Sequence, residues 1–255
     1  MSERASASAS EGERVGERAS ARGLVIAIVG AESTGKSTLA VELAARLAHE
    51  TGLECTAVGE FLREWCDREG RTPHRNEQSA IAAEQAARIQ AAAHTHAVVV
   101  ADTTPLMTAV YSLLLFQDSS LVDSAMQVQR ACDATLLTAL DLPWVPDGHQ
   151  RDGAHVRAPV DTALRELMAA HRIGWSVVGG SGAARLDAAL DAVTPLLLRK
   201  LADPAQTSPA SPAPRPGLFT RLQQRQAAQP QWNWVCETCD SSECEHASLR
   251  ASRRN

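Results

Sequence analysis

Aromatic residues are scarce in this chain: one Tyr, three Phe and five Trp make up 4% of 255 residues. Its core therefore has to be filled by Ala, Leu and Val, and an apolar content of 44% is enough for that. Long apolar runs are missing too. No stretch approaches the ~20 apolar residues of a membrane span. The first 22 residues are rich in Ser, Ala, Glu and Arg and hold no apolar signal segment. Basic charge is not in excess: 25 Lys and Arg against 30 Asp and Glu leave −5, which argues against nucleic acid or a membrane surface as partner. Nor is there a disulfide framework of the secreted kind, since Cys55, Cys66 and Cys132 are scattered and the other cysteines crowd the C-terminus. The cytoplasm is the expected location.

Composition divides the chain into regions. Residues 1–22 have too few apolar side chains to offset the entropy of ordering and read as a disordered extension. Residues 23–201 carry regular apolar patterning. Residues 202–231 are Pro-, Ala- and Gln-rich and read as a linker. A short Trp/Cys segment, 232–247, precedes a tail of residues 248–255. Within the patterned region, strands are predicted at 24–29, 55–58, 97–101, 134–140 and 175–178. Helices are predicted at 36–50, 76–96, 104–116, 119–131, 158–171 and 183–200. This alternation implies an α/β fold, a five-stranded parallel sheet with helices on both faces. Ligands of such sheets bind at the carboxyl ends of the strands.

Gly30, Ala31, Glu32, Ser33, Thr34, Gly35, Lys36 and Ser37 satisfy G-x-x-x-x-G-K-[ST] between a buried strand and an amphipathic helix. That context marks a phosphate-binding P-loop and places the domain among the P-loop NTPases. Glycines let backbone N–H groups converge on phosphate oxygens, and the following helix adds its positive end. Lys36 is expected to reach the β- and γ-phosphates of ATP and the Ser37 hydroxyl to ligate Mg²⁺, with Thr38 completing the cofactor-binding segment.

Acidic residues follow two other strands. Val98-Val99-Val100-Ala101-Asp102 has the Walker B layout, in which Asp102 holds Mg²⁺ or acts on an acceptor hydroxyl. The bland alternative is a helix N-cap ahead of Thr103-Thr104-Pro105. Glu60 and Arg63 follow the second strand and suit an acceptor hydroxyl and an anionic group, or simply a charged helix start. After the fourth strand, Asp141 to Gly148 forms a Pro/Gly-containing loop that includes Trp144 and Asp147 and leads to Arg151 and Arg157. Long ordered loops are often lids, and arginines on a lid neutralise a transferring phosphoryl group; a solvated surface loop is the alternative. Gly179-Gly180-Ser181-Gly182 reads either as a backbone seat for adenine or as a turn.

Together, Gly30-x-Glu32-Ser33-Thr34-Gly35-Lys36-Ser37, Glu60-x-x-Arg63-Glu64, Asp102-Thr103 and Trp144-Val145-x-Asp147-Gly148 with its later arginines resemble the ribosylnicotinamide kinase domain of NadR-type proteins over about residues 24–195. The resemblance implies ATP- and Mg²⁺-dependent phosphorylation of the 5′-hydroxyl of nicotinamide riboside, an NAD biosynthesis step. It puts Lys36, Asp102, Arg151 and Arg157 in catalysis, and Glu60, Arg63, Asp102, Trp144 and Asp147 around the nucleoside. Bifunctional members carry an adenylyltransferase domain ahead of the kinase, whereas 23 residues precede the first strand here. Trp65 and Tyr111 are candidates to stack on a pyridinium ring, with the core as their alternative place. A regulatory P-loop ATPase, switching a partner by its nucleotide state, is the rival to a kinase.

The C-terminal segment holds Cys236-x-x-Cys239-x4-Cys244-x-His246, four ligands that match a structural Cys₃His zinc site. A reactive cysteine pair or an unstructured terminus are the readings that compete with it.

Overall fold

The computed structural model describes residues 22–145 and 153–202. Five strands are present: β1 (Leu24–Val29), β2 (Cys55–Val58), β3 (Val98–Asp102), β4 (Ala134–Thr138) and β5 (Ser176–Val178). They pair in parallel in the order β2-β3-β1-β4-β5. The expected α/β sheet is the observed one. Helices α1 (Lys36–Thr51), α2 (Phe61–Glu69), α3 (Gln78–Thr95), α4 (Pro105–Phe116), α5 (Val122–Arg130), α6 (Arg157–Ala170) and α7 (Gly182–Ala202) cover its faces. Among the described residues, no helix is long and apolar enough to cross a membrane.

Alternation along β1 sorts the core into two layers, because successive side chains of a strand point to opposite faces. Ile26 and Ile28 pack with Leu39, Leu43 and Leu47 of α1 and Leu190, Val193 and Leu197 of α7. On the other face Val29 meets Leu106, Met107 and Val110 of α4 and Leu164 and Met168 of α6, while Val25 meets Ile89 and Ala93 of α3. Burial on both faces explains why β1 and β3 are unbroken apolar runs.

Two register pairs position everything that follows. Ile28 lies beside Asp102 of β3, and Val29 lies beside Leu137 of β4. The turn after β1 therefore emerges between Asp102 and Thr138. Helices α3 and α4, which flank β3 in the chain, pack against each other in antiparallel fashion beside it. Gln85, midway along α3, meets Thr103 just ahead of α4, and Arg75, ahead of α3, pairs with Asp118 beyond α4 at 2.8 Å. The 12-residue α4 is roughly 18 Å long and starts at the carboxyl end of β3. α2 docks against this pair through Phe61, Trp65, Cys66 and Ile81.

Candidate functional site

Residues 30–37 join β1 to α1 through a turn that needs unusual backbone. Gly30 has φ 151°, Ser33 φ 56° and Gly35 φ 76°. A Cβ on Gly30 would stand 2.0 Å from Thr138 Oγ1, so glycine is required there by contact as well as by φ. Gly35 is the N-cap of α1 and no side chain caps the helix. Its first amides are left to an anion, and the helix dipole favours one. Thr34 turns its hydroxyl inward, 2.8 Å from Ala31 O and 2.7 Å from Thr138 Oγ1, so any ligand contact by Thr34 falls to its backbone. The buried Lys36 ammonium donates to Ala31 O at 2.8 Å, folded along the inside of the turn. Ser37 is half-buried and Thr38 exposed on the first turn of α1. Glu32 is half-buried, and its Oε2 has no partner among the described residues.

Asp102 ends β3 and is 4% exposed, with Oδ1 unpartnered among the described residues. It is not the N-cap of α4: that role belongs to Thr104, whose hydroxyl oxygen accepts from Leu106 N at 3.3 Å. Between them Thr103 adopts φ 70°, a left-handed conformation that strains a β-branched residue. The N-cap alternative thus fails, since Thr104 caps α4 and the buried Asp102 Oδ1 is without a partner among the described residues.

Glu60 follows β2 and accepts from Arg63 Nη2 at 3.4 Å. Burial pushes the Glu60 carboxyl above its ordinary range; Lys36 pulls it down, Asp102 pushes it up and Arg63 pulls it down again. Glu60, Asp102 and Lys36 are therefore within electrostatic reach of one another at one sheet edge. Trp65 is a core residue rather than a stacking platform: it is buried, with the Arg71 guanidinium 4.9 Å over its ring. Tyr111 packs against the Leu106, Met107 and Val110 layer.

The loop after β4 starts on top of the phosphate turn. Ser33 Oγ donates to Val145 O and accepts from Val145 N, both at 2.9 Å. Leu142 lies so close that a Cβ on Gly35 would meet its Cδ1 at 3.2 Å. Arg157 opens α6, is 8% exposed and donates from Nη1 to Leu142 O at 2.9 Å. Its Nε and Nη2 have no partner among the described residues. A buried cation with two idle donors is costly unless an anion joins it. Trp144 is half-buried with Nε1 unpartnered among the described residues. Asp147, Arg151, Cys236, Cys239, Cys244 and His246 lie outside the described residues. Among the described residues no group of three or more His, Cys, Asp and Glu side chains is arranged to hold a metal ion.

Three residues at this edge carry contacts that sequence reasoning did not single out. Thr138 fills the hollow of Gly30. Gln85 on α3 bonds the loops beside Glu60 and Asp102. Arg185 on α7 donates to Thr34 O at 3.1 Å and Gly180 O at 2.9 Å and pairs with Asp141, whose Oδ2 accepts from Gly180 N. The glycine-rich turn after β5 is thereby pinned to the phosphate turn. A sequence signal existed for Gln85, which interrupts the Ile81, Ile89 stripe at i+4. A cavity of about 380 Å³, lined by Arg75, Ser79, Ser112 and Asp118 among others, includes none of the phosphate-turn or carboxylate residues described above.

Sheet order, phosphate turn and helix placement are those of a P-loop NTPase. Residues 25–185 match the AAA domain family. Similar solved structures include a NadR protein in complex with NAD and AMP-PNP, with TM-score 0.53 and 18% identity over 68% of this chain and 49% of that one. The NadR protein in complex with NR gives TM-score 0.53 and 18% identity over 68% of this chain and 50% of that one. The chain spans about half the length of these proteins, and at such identity the likeness is one of fold. No curated protein matches the chain in sequence.

Proposed function

We propose, from the premise that the chain belongs to the AAA domain family, that it is an ATP- and Mg²⁺-dependent phosphotransferase whose acceptor is the 5′-hydroxyl of nicotinamide riboside or a similar nucleoside. The observation that carries this reading is that two carboxylates, Glu60 and Asp102, follow the paired ends of neighbouring strands, Val58 and Ala101, at the edge where Lys36 opens α1. ATP hydrolysis calls for a carboxylate at the Asp102 position. A second, half-buried acid beside it suits an acceptor hydroxyl. The NadR structures described with NAD, AMP-PNP and NR support the choice of a nucleoside.

In this reading the amides of residues 33–38 cradle the triphosphate and Lys36 swings from Ala31 O onto the γ-phosphate. The unpartnered Asp102 Oδ1 and the Ser37 hydroxyl are suited to Mg²⁺, which when bound supplies charge neutralisation at the β- and γ-phosphates. Glu60 holds the acceptor hydroxyl. The acceptor hydroxyl oxygen attacks the γ-phosphorus, the bond to the β–γ bridging oxygen breaks with ADP leaving, and the hydroxyl proton passes to the Glu60 carboxylate. Arg157, and Arg151 from the loop, neutralise the transferring group. Arg63, Trp144 and Asp147 flank the nucleoside. Cys236, Cys239, Cys244 and His246 form a separate structural zinc site. Zinc content that is equal with and without residues 232–255 rejects that site.

A nucleoside panel with Mg-ATP tests the kinase. ADP release is expected to depend on nicotinamide riboside or a close relative, and Lys36→Ala is expected to abolish it with the fold intact. Equal ADP release with and without every nucleoside overturns the reading in favour of a regulatory ATPase.

A further inference from the structure

The two carboxylates of the site sit on different loops, and one buried amide joins those loops. Glu60 lies between Gly59 and Phe61, and Asp102 directly precedes Thr103. The Gln85 side chain is 3% exposed. Its Oε1 accepts from Phe61 N at 2.7 Å, and its Nε2 donates to Gly59 O at 3.2 Å and to Thr103 O at 3.4 Å. We infer that Gln85 is a positioning residue, which sets the separation and orientation of Glu60 and Asp102 toward the acceptor hydroxyl. The inference rests on the phosphotransferase reading above for the identity of the acceptor.

The geometry leaves this amide little freedom. The last paired residues of β2 and β3 are Val58 and Ala101. Beyond them the strands part, and Gln85 supplies hydrogen bonds that span the gap. It reaches from a helix anchored on either side by Ile81 and Ile89, which are buried in two different clusters. Turning the amide over would set its NH₂ against the Phe61 N–H and its oxygen against two carbonyls, so a single orientation satisfies all partners. One contact holds the carbonyl of Thr103, the residue with φ 70°. That turn relaxes toward an ordinary conformation if released, and Asp102 moves with it. A leucine or methionine at position 85 would satisfy the apolar stripe of α3 equally well; the amide is needed only by the two loops.

Gln85→Met keeps length and burial and removes all three bonds. Misplacement of reacting groups by about 1 Å costs rates on the order of 100-fold. The expected result is therefore a kcat for nucleoside phosphorylation about 10- to 100-fold lower, with KM for ATP within about 2-fold of wild type because the phosphate turn is untouched. Gln78→Met is the control: Gln78 lies two turns earlier on α3, is 2% exposed, and its Oε1 has no hydrogen-bond partner among the described residues. It is expected to leave both constants within about 2-fold. Gln85→Asn keeps an amide one methylene short and is expected to lose activity to an intermediate degree; it carries the test if the Met variant does not fold. A readout independent of turnover is amide hydrogen exchange at Phe61, expected to speed up about 10-fold or more in Gln85→Met and not in Gln78→Met. A Gln85→Met protein with wild-type kcat overturns the positioning role, and unchanged Phe61 exchange overturns the brace itself. A wild-type protein without nucleoside-dependent turnover refutes the kinase reading and the acceptor role with it, and Phe61 exchange then judges the brace alone.

Discussion

Gly30→Ala is the substitution whose cost the structure specifies most closely. The added Cβ would lie 2.0 Å from Thr138 Oγ1, far inside the 3.4 Å at which ordinary contact begins. Thr138 is fully buried between β1 and the phosphate turn, so its hydroxyl has to leave its two partners, Thr34 Oγ1 at 2.7 Å and Val29 O at 3.3 Å. Two such bonds are worth about 2 kcal/mol together. An alanine held at φ 151° adds strain of about 1–3 kcal/mol. The single variant should therefore lose about 3–5 kcal/mol of stability. Thr138→Ala removes the same two bonds without strain and should lose about 2 kcal/mol. In the double variant the obstructing oxygen is gone and the bonds are counted once, so its loss should fall short of the sum by about 2 kcal/mol. Urea unfolding of the four proteins measures this cycle, and ATP titration follows the turn itself, with affinity lost in Gly30→Ala and partly recovered in the double variant. Losses that add to within about 0.5 kcal/mol would show that Thr138 does not shape the turn.

Arg157→Met should hold or raise stability, because it removes a buried cation with two idle donors, while kcat falls about 100-fold or more; urea midpoints and turnover read the two effects. Burial raises the Glu60 pKa above its ordinary 4.5, and the ionised form is the one that accepts a proton. The acid limb of kcat/KM should therefore lie above pH 4.5 and flatten in Glu60→Gln. For stability the sign is reversed: the raised pKa favours folding at low pH and is lost as pH rises, so Glu60→Gln should gain stability at pH 7 relative to pH 4. Glu77 accepts from Arg71 and from His74 N, which hold its pKa near 2 against an ordinary 4.5. Its contribution is present above pH 4.5 and lost as pH falls toward 2, so Glu77→Gln should flatten the acid stability curve over that window. Burial pushes the Cys55 and Cys66 thiols to about 11 and Cys132 to about 12. These three should react with a thiol reagent at pH 8 only as the domain unfolds, a claim that peptide mapping of the labelled sites checks.

Local chemistry was legible in the sequence, and long-range bonding was not. The phosphate turn announces itself because strand, glycines, Lys36 and helix are contiguous. Asp102 is readable because it ends the Val98–Ala101 run, yet that Thr104 rather than Asp102 caps α4 goes with the positive φ of Thr103, which residue types do not reveal. α2 went unassigned since nine residues beginning Phe-Leu-Arg-Glu-Trp offer a short apolar face whose partner, Ile81, is on another helix. Trp65 looked available for a ligand until Arg71 was seen to cover it. Thr138 and Arg185 left no signal, because a threonine ending a strand and an arginine in an amphipathic helix are ordinary until their partners are known.

Those unannounced residues share a task. Thr138 shapes the phosphate turn from beneath, Gln85 sets the loops of Glu60 and Asp102, and Arg185 ties Thr34 to Asp141 and the turn after β5. Each is a buried polar side chain whose hydrogen bonds reach backbone or neighbouring polar groups of a site loop. Such groups are costly to bury, and apolar residues would pack the same volumes more cheaply. They make sense if the loops have to be held against their own tendency to relax: Ser33, Thr103, Gly30 and Gly35 all have positive φ. Phosphoryl transfer asks the protein for little covalent chemistry and much fixed geometry. A site whose donors are set before substrate arrives spends no reorganisation energy at the moment of reaction. The carboxyl edge of this sheet is built in that manner, with strain in the loops and the braces against it placed on one strand, β4, and two helices, α3 and α7.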